Sequence, residues 1–505
     1  MLTSYVDPDL IARQIKEFAF TQSLIQQELH GIFGTETLQD MREILELYNI
    51  YEMGATFDQD NNSGDYVPAD HQFKTIKSMI DKEARFLFGQ PPTITLEDTE
   101  APVKKEGAQN RIEPNQALVE MVLKKNHFNS KLVRAAKDCL IGRRIAIAVD
   151  FSEAGIDISF MPSLEFIYET DAQDVDRITK FIRFYSTVVN EDKDQQRIYK
   201  KKWEMNENGR CVITEGLYNG QGVLMEELMP ETETPFEYIP CWVIINGGLI
   251  GDPFGRSDVE ELVEDESWYN KLSSKDFDSL RKGTDQIVWT MDVNPKATKN
   301  LSRAAGSYWD LSSDPIEENR TGQVGVLDNS MAYSPALDTT LNRIRGNMYA
   351  QFDIPDTTNE ALTGIITSGK TMKTVYWGLM VRCDEKLLDW IPALESMVTC
   401  IIEGSHIYPE ARKVYSDADP VEGYLVNIEN TYPILEDESE EKSTDIMEVQ
   451  SQVMSRKSYM KKWRGLSDED VEEELNQIAM EQEMLKEDTY MPDDFGQQGN
   501  EGGEE

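Results

Sequence analysis

Cysteine and histidine are scarce in this chain. Its 505 residues hold five cysteines, Cys139, Cys211, Cys241, Cys383 and Cys400, and four histidines, His30, His71, His127 and His406. The cysteines form no CxxC pair, which argues against zinc ribbons and a disulfide framework and leaves buried free thiols as the expectation. The histidines stand apart without HExxH spacing, and neither a GxSxG elbow nor a DxDxDG loop occurs. No catalytic residue, no metal ligand set and no cofactor are therefore expected. Long apolar runs are missing too: no uncharged stretch reaches the ~18 residues that cross a bilayer. The opening MLTSYVDPDL has neither the basic flank nor the apolar core of a secretion signal, so an intracellular product without a membrane partner is expected.

Positive charge is also short. Against 93 Asp and Glu there are 50 Lys and Arg, a formal net charge of −43. Such a surface repels phosphate backbones, which disfavours sequence-specific nucleic-acid binding and suits a surface past which DNA slides without sticking. The acidity peaks at the end, where Glu429 to Glu505 contains 23 Asp and Glu against 7 Lys and Arg, and DDFGQQGNEGGEE has the composition of a disordered tail. One basic island interrupts it: Arg456, Lys457, Lys461, Lys462 and Arg464, for which salt bridges between subunits are expected ahead of DNA contact. What is present in quantity is apolar material, 39% hydrophobic and 9% aromatic, enough for the cores of two or three domains.

GIITSGKT, Gly364 to Thr371, matches the Walker A pattern letter for letter. A phosphate loop must leave a buried strand that aims its backbone N–H groups, yet the preceding residues, IPDTTNEALT, are polar and turn-like. The partner pattern, apolar residues ending in Asp, occurs as IAIAVD at Ile145 to Asp150, far upstream where the usual order puts it downstream. The same residues also read as a helix start. Ser368 can cap, and Met372, Val375, Leu379, Cys383, Leu387, Trp390, Leu394, Val398 and Ile401 recur at helical spacing, predicting one beam of about 35 residues ending near Gly404.

Two further helices are predicted. Ser257 and Glu260 form the S-x-x-E capping box of a helix from about Asp258 to Lys282, with Val259 and Leu262 on its stripe. Ser334-Pro335 opens the second, which stacks Leu337, Leu341, Ile344 and Met348 and breaks at Ile354-Pro355. Between them, QIVWTMDV, GSYWDL and GQVGVL read as strands of a small module carrying Trp289, Tyr308 and Trp309. The N-terminal half reads as helices to about Leu140, then a hairpin of RRIAIAVDF and GIDISFMP, then strands near RIYKKKWEM and CVITEGLY. A last helical region spans about Ser443 to Lys486, broken at Gly465-Leu466-Ser467. The expected class is α+β, predominantly helical.

Four segments, in order, carry a resemblance. HQFKTIKSMIDKEARFLFGQPPTI, NGGLIGDPFGRSDVEELVEDESWYNKLSSKDFDSLRKG, SGKTMKTVYWGLMVRCDEK and VMSRKSYMKKWRGLSDEDVEEELNQIAMEQE are similar, in sequence and spacing, to portal proteins of long-tailed bacteriophages of Gram-positive hosts. The resemblance spans roughly residues 30 to 490, and in that family a small residue plus Gly opens the long helix, which accounts for Ser368-Gly369. It implies a homo-oligomeric ring, usually a dodecamer, at one capsid vertex, through which double-stranded DNA is packaged and ejected without base-specific contact. It implies the terminase large subunit, the major capsid and scaffolding proteins and a head-completion adaptor as partners, assembly in the host bacterial cytoplasm and residence in the virion. The implied parts are a wing (1–256 with 354–407), a stem of two helices (257–284 and 334–353), a clip (285–333) and a crown with the acidic tail (408–505). Residues 353–367 correspond to the tunnel loop, putting Thr357, Thr358, Asn359, Glu360 and Leu362, with Lys370 at its end, near the lumen. Lys370 and Lys373 depart from the family pattern. A P-loop nucleotide-binding protein and a capsid-interior scaffolding protein are the alternatives; the latter suits the charge but is expected to be mostly helical, without a β module.

Overall fold

The structure, a computed structural model, describes residues 32–58, 67–99, 111–171, 173–174, 177–188, 196–219, 222–249, 252–284, 287–293, 321–327, 332–356, 369–434 and 438–487. The chain divides into two units, one of Met1–Glu360 with Val375–Pro433 and one of Ala361–Thr374 with Ile434–Glu505.

The first unit begins with α1 (Ile32–Met53), α2 (Thr75–Phe88), strand β1 (Thr93–Asp98), α3 (Glu113–Lys125) and α4 (Phe128–Gly142). Helix α3 has Glu113 and a proline in its first turn and Lys124 and Lys125 in its last, charges that oppose the helix dipole at each end. His127, in the left-handed region at φ 51°, turns the chain from α3 into α4.

Strands β2 (Arg144–Ser152) and β3 (Gly155–Pro162) form the expected hairpin, with Ser152 opposite Gly155 and Ile145 opposite Pro162. Their sheet gains β9 (Cys241–Ile245) on the other side of β2, in the order β3-β2-β9. A second sheet is an antiparallel meander of β4 (Phe166–Thr170), β5 (Ile178–Val188), β6 (Gln196–Met205), β7 (Cys211–Tyr218) and β8 (Leu224–Glu233). Its core stacks Phe166 on Phe181 at 5.3 Å and sets Trp203 edge-on to Phe181 at 5.7 Å. Of these five strands, local signals in the sequence predict only β6 and β7.

Helix α5 (Val263–Thr284) leads to an antiparallel pair, β10 (Ile287–Met291) and β11 (Gln323–Leu327), and α6 (Ser334–Gln351) returns. Both strands were expected; GSYWDL lies outside the described residues. Next come α7 (Gly369–Val375), α8 (Trp377–Ile407), α9 (Pro409–Lys413) and β12 (Tyr424–Glu429), which pairs with the distant β1.

The beam differs from its prediction in two ways. It is interrupted at Tyr376, whose backbone sits at φ −92°, ψ 5° and whose ring stacks on Phe86 at 5.6 Å. It also runs past Gly404 to Ile407. Gly404 lies inside α8, where a Cβ would strike the Phe151 ring at 2.0 Å, so this glycine permits close packing and is not a stop.

The second unit holds α7 up to Thr374, with α10 (Glu438–Gln450), α11 (Arg456–Arg464) and α12 (Asp468–Glu487). The expected break is at Gly465, left-handed at φ 62°, and a second falls before Ser455, whose Oγ accepts from Ser458 N and caps α11. Three residues of the basic island have partners within the same chain. Lys457 meets Glu472 at 3.1 Å, Lys462 meets Asp445 at 2.8 Å and Arg464 meets Glu474 at 3.0 Å.

Candidate functional site

Helix α5 is built inside out. Its buried side is polar: Glu266, Asn270, Ser273 and Ser274 are all shielded from solvent. Trp268, on the opposite side, is 51% exposed, while Phe277 and Leu280 lie further along the side of the polar row and are 40% and 43% exposed, Phe277 edge-on to His71 at 5.1 Å. The polar side is satisfied by an extended stretch of backbone that lies along it. Glu266 accepts from the N–H groups of Ala55 and Ile76, both at 2.9 Å, Asn270 accepts from Phe73 at 2.9 Å, and Ser274 accepts from His71 at 3.0 Å. Asp278 accepts from Ala69 at 2.9 Å, one turn further on. These residues recur every four positions, so one helix face presents a row of acceptors spaced to meet a chain without secondary structure of its own. Burial raises the Glu266 carboxyl, against the backbone N–H groups that pull it down.

The helix starts at a cluster of buried charge. Ser257 caps it, its Oγ accepting from Val259 N at 3.1 Å, but Glu260 does not close the capping box. Its carboxylate is taken by Arg143, which also holds Asp40 at 2.7 Å and Glu43 at 2.9 Å. Val259 and Leu262, expected on the helix stripe, are fully buried in the subunit core, and Leu262 lies in a 3-10 turn ahead of the α-helix.

Asp258 accepts from Lys386 at 2.7 Å and lies 3.2 Å from Arg382, both on α8. Arg382 reaches Glu83 of α2 at 2.9 Å and covers the Phe352 ring at the end of α6 at 4.3 Å. Two carboxylates and two cations therefore join α2, α8 and the ends of α5 and α6. Burial, and then the charge of Asp258, push the Glu83 carboxyl up to about 7, against the pull of Lys386 and Arg382. Asp258 is also buried, but Lys386 and Arg382 beside it hold its carboxyl below the usual range.

Helix α6 packs along α5. Asn347 and Gln351 donate to Asp265 at 2.8 and 3.4 Å, and Tyr333 to Asp276 at 3.3 Å, which sets the two helices antiparallel. Leu337, Leu341 and Ile344 remain half-exposed on it. In the β10–β11 pair, Trp289 lies across Gly325, where a Cβ would come within 2.5 Å of the indole. Tyr308 and Trp309 lie outside the described residues, as do Thr357, Thr358, Asn359, Glu360 and Leu362. Lys370 falls in α7, and its side chain is likewise outside them. Asp353, left-handed at φ 51°, ends the α6 turn against Gly378, where a Cβ would come within 2.9 Å of its side chain.

Sequence reasoning missed the acceptor row and the charge cluster. The i, i+4 spacing of Glu266, Asn270, Ser274 and Asp278 was visible, but on a solvated helix the same polar spacing is unremarked. The supposed second half of the nucleotide motif also has a structural role. Asp150 lies on β2 and accepts from Lys201 at 2.8 Å, and Lys201 also meets Glu215 at 2.7 Å. Among the described residues no group of three or more His, Cys, Asp or Glu is placed to hold a metal, and no helix is long and apolar enough to cross a membrane.

No curated protein matches the chain. The family model described as phage portal protein, SPP1 Gp6-like, matches residues 35–488 of the 505. Membership of that family implies a ring oligomer built into the phage capsid. With nine-tenths of its length so matched, the chain belongs to the phage portal protein family, SPP1 Gp6-like.

Proposed function

We propose that the chain assembles as a ring, of twelve copies, at one capsid vertex, and that double-stranded DNA passes through the ring on packaging and ejection. The observation that supports this most directly is α5. A single chain buries the polar row of α5 and leaves Trp268, Phe277 and Leu280 half-exposed along it, apolar area that neighbouring subunits can cover. The α5–α6 pair with β10 and β11 at its end then serves as stem and clip. The α+β region before Ser257, with the segment 354–407, is the wing, and 408–505 is the crown. Residues 353–367 form the tunnel loop, with Lys370 after it. The terminase large subunit docks during packaging and an adaptor replaces it, while capsid and scaffolding proteins hold the rim. The acidic balance of the chain suits this passage, because a surface of net charge −43 offers duplex phosphates no sustained grip. Base readout and catalysis form no part of this role.

Electron microscopy of the purified chain tests the reading. Rings with a central hole are expected. Monomers with saturable ATP binding that Lys370→Ala abolishes would overturn it in favour of the nucleotide-binding alternative.

A further inference from the structure

Strand β8, LMEELMPETE, is exposed at all ten positions, with Leu224, Met225, Leu228 and Met229 among its side chains. It is the outer strand of its sheet, and an outer strand with apolar side chains on both faces demands a cover. Four of its ten residues are glutamates and none is a cation. Glu226 is tied to Arg197 at 3.4 Å and Glu233 accepts from Asn206 at 3.0 Å, but Glu227 and Glu231 meet no cation among the described residues. Pro230 and the register shifts opposite Glu215 and Leu217 break the ladder geometry, so a further strand cannot pair continuously along it. Its cover must be held by side chains.

The same chain carries a surface of opposite character. At the α3–α4 corner, Lys124, Lys125, His127 and Arg134 are exposed within eleven residues. Lys125 donates to the Ala154 carbonyl at 3.0 Å, while Lys124, His127 and Arg134 meet no carboxylate among the described residues. Beside them opens a cleft of about 590 Å³ whose lining includes Pro91, Pro92, Leu123, Lys124, His127 and Phe128, with Glu120 its one acid. In a chain of net charge −43 a cleft that mixes apolar side chains with a basic rim is a departure, and it fits a leucine- and methionine-bearing acidic strand.

We propose that β8 of one copy seats in the Pro91–Ser130 cleft of the next copy. A closed ring of identical subunits needs head-to-tail contacts between two different, complementary surfaces, and these two are complementary in both charge and apolarity. The proposal rests on the ring reading and adds a contact to it that the stem helices do not provide.

Charge reversal separates the two. With Glu227→Lys and Glu231→Lys together, or Lys124→Glu and Arg134→Glu together, the subunit concentration at half assembly should rise about tenfold, and combining all four should restore it. Leu228→Cys with Asn129→Cys should give a ladder of oligomers on non-reducing gels, over little background because the five native cysteines are buried. If the wild type forms no rings, the ring reading itself fails and this contact with it. Rings that tolerate each reversal unchanged and give no ladder would overturn the contact alone. A β8 reversal that leaves rings intact but blocks their incorporation into heads would also overturn it, assigning the strand to a basic capsid-side partner.

Discussion

Helices α5 and α8 are both long and come from the same unit, yet they distribute polarity in opposite ways. Helix α8 buries Leu379, Cys383, Leu387, Trp390, Leu394, Val398 and Ile401 in its own subunit, while Trp377, Val381 and Leu388 form a second stripe outside. Helix α5 buries Glu266, Asn270 and Ser274 and leaves Trp268, Phe277 and Leu280 half-exposed. The first is held by apolar burial that one chain supplies. The second is held by hydrogen bonds to backbone, so its half-exposed apolar side chains are left for other molecules. Apolar spacing alone therefore does not say whether a stripe belongs to a core or to an interface. What decides is which face the rest of the chain covers.

Where the two helices meet, the difference should be easiest to break. Arg382→Ala leaves Glu83 and Asp258 to share Lys386 in a buried site, and should destabilise the subunit by about 3–5 kcal/mol in chemical denaturation. A cost within experimental error would mean that the cluster does not join α8 to the start of α5.

Leu387 and Leu341 sharpen the comparison. Both lie on apolar stripes that the sequence predicts, but Leu387 is buried within the subunit and Leu341 is half-exposed. Leu387→Ala should cost about 2–5 kcal/mol in dissociated subunits, whereas Leu341→Ala should cost under about 1 kcal/mol there and weaken assembly instead. Equal losses from the two, read by denaturation at low concentration, would erase the distinction.

The pH profile gives the next effect. Glu83, facing Asp258, Arg382 and Lys386, has its carboxyl raised to about 7 from an ordinary 4.5. A raised carboxyl favours the folded state most when protonated, so its contribution is fully present below pH 4.5 and is lost as pH rises through about 7. The loss amounts to about 3 kcal/mol. Glu165, raised to about 7 mainly by burial, adds a loss of the same sign. Glu83→Gln should flatten the decline between pH 4.5 and 7 by removing the first share. Parallel profiles for mutant and wild type would refute the assignment.

The smallest effect on the subunit should come from Trp268, on the side of α5 away from the acceptor row. Trp268→Ser should shift the stability of dissociated subunits by no more than about 0.5 kcal/mol, yet reduce ring yield in analytical ultracentrifugation. A loss comparable to that of Leu387→Ala would show that Trp268 is already covered within one chain.

Much of the architecture was legible wherever a short stretch of sequence contains its own signal. The β2–β3 hairpin, the α6 start at Ser334-Pro335 and the Gly465 break rest on turn residues and local periodicity, and the structure has each of them. The five buried cysteines were likewise expected from their spacing. Local signals failed where a distant partner decides the outcome. The break at Tyr376 accompanies a stack on Phe86, Gly404 makes room for Phe151, and Glu260 leaves its capping role for Arg143. Strands β1 and β12 exist only as a pair across more than three hundred residues.

By itself, then, the sequence determined the acidic balance, the family-wide order of segments, and the helices and hairpins whose caps, turns and apolar spacing lie within a few residues of one another. The tertiary structure alone decided which face of each helix is buried and which charges are brought into one cluster. Those outcomes depend on contacts between residues far apart in the chain. A buried glutamate on α5 or α2 is tolerable only because backbone N–H groups or cations from elsewhere in the fold arrive to meet it.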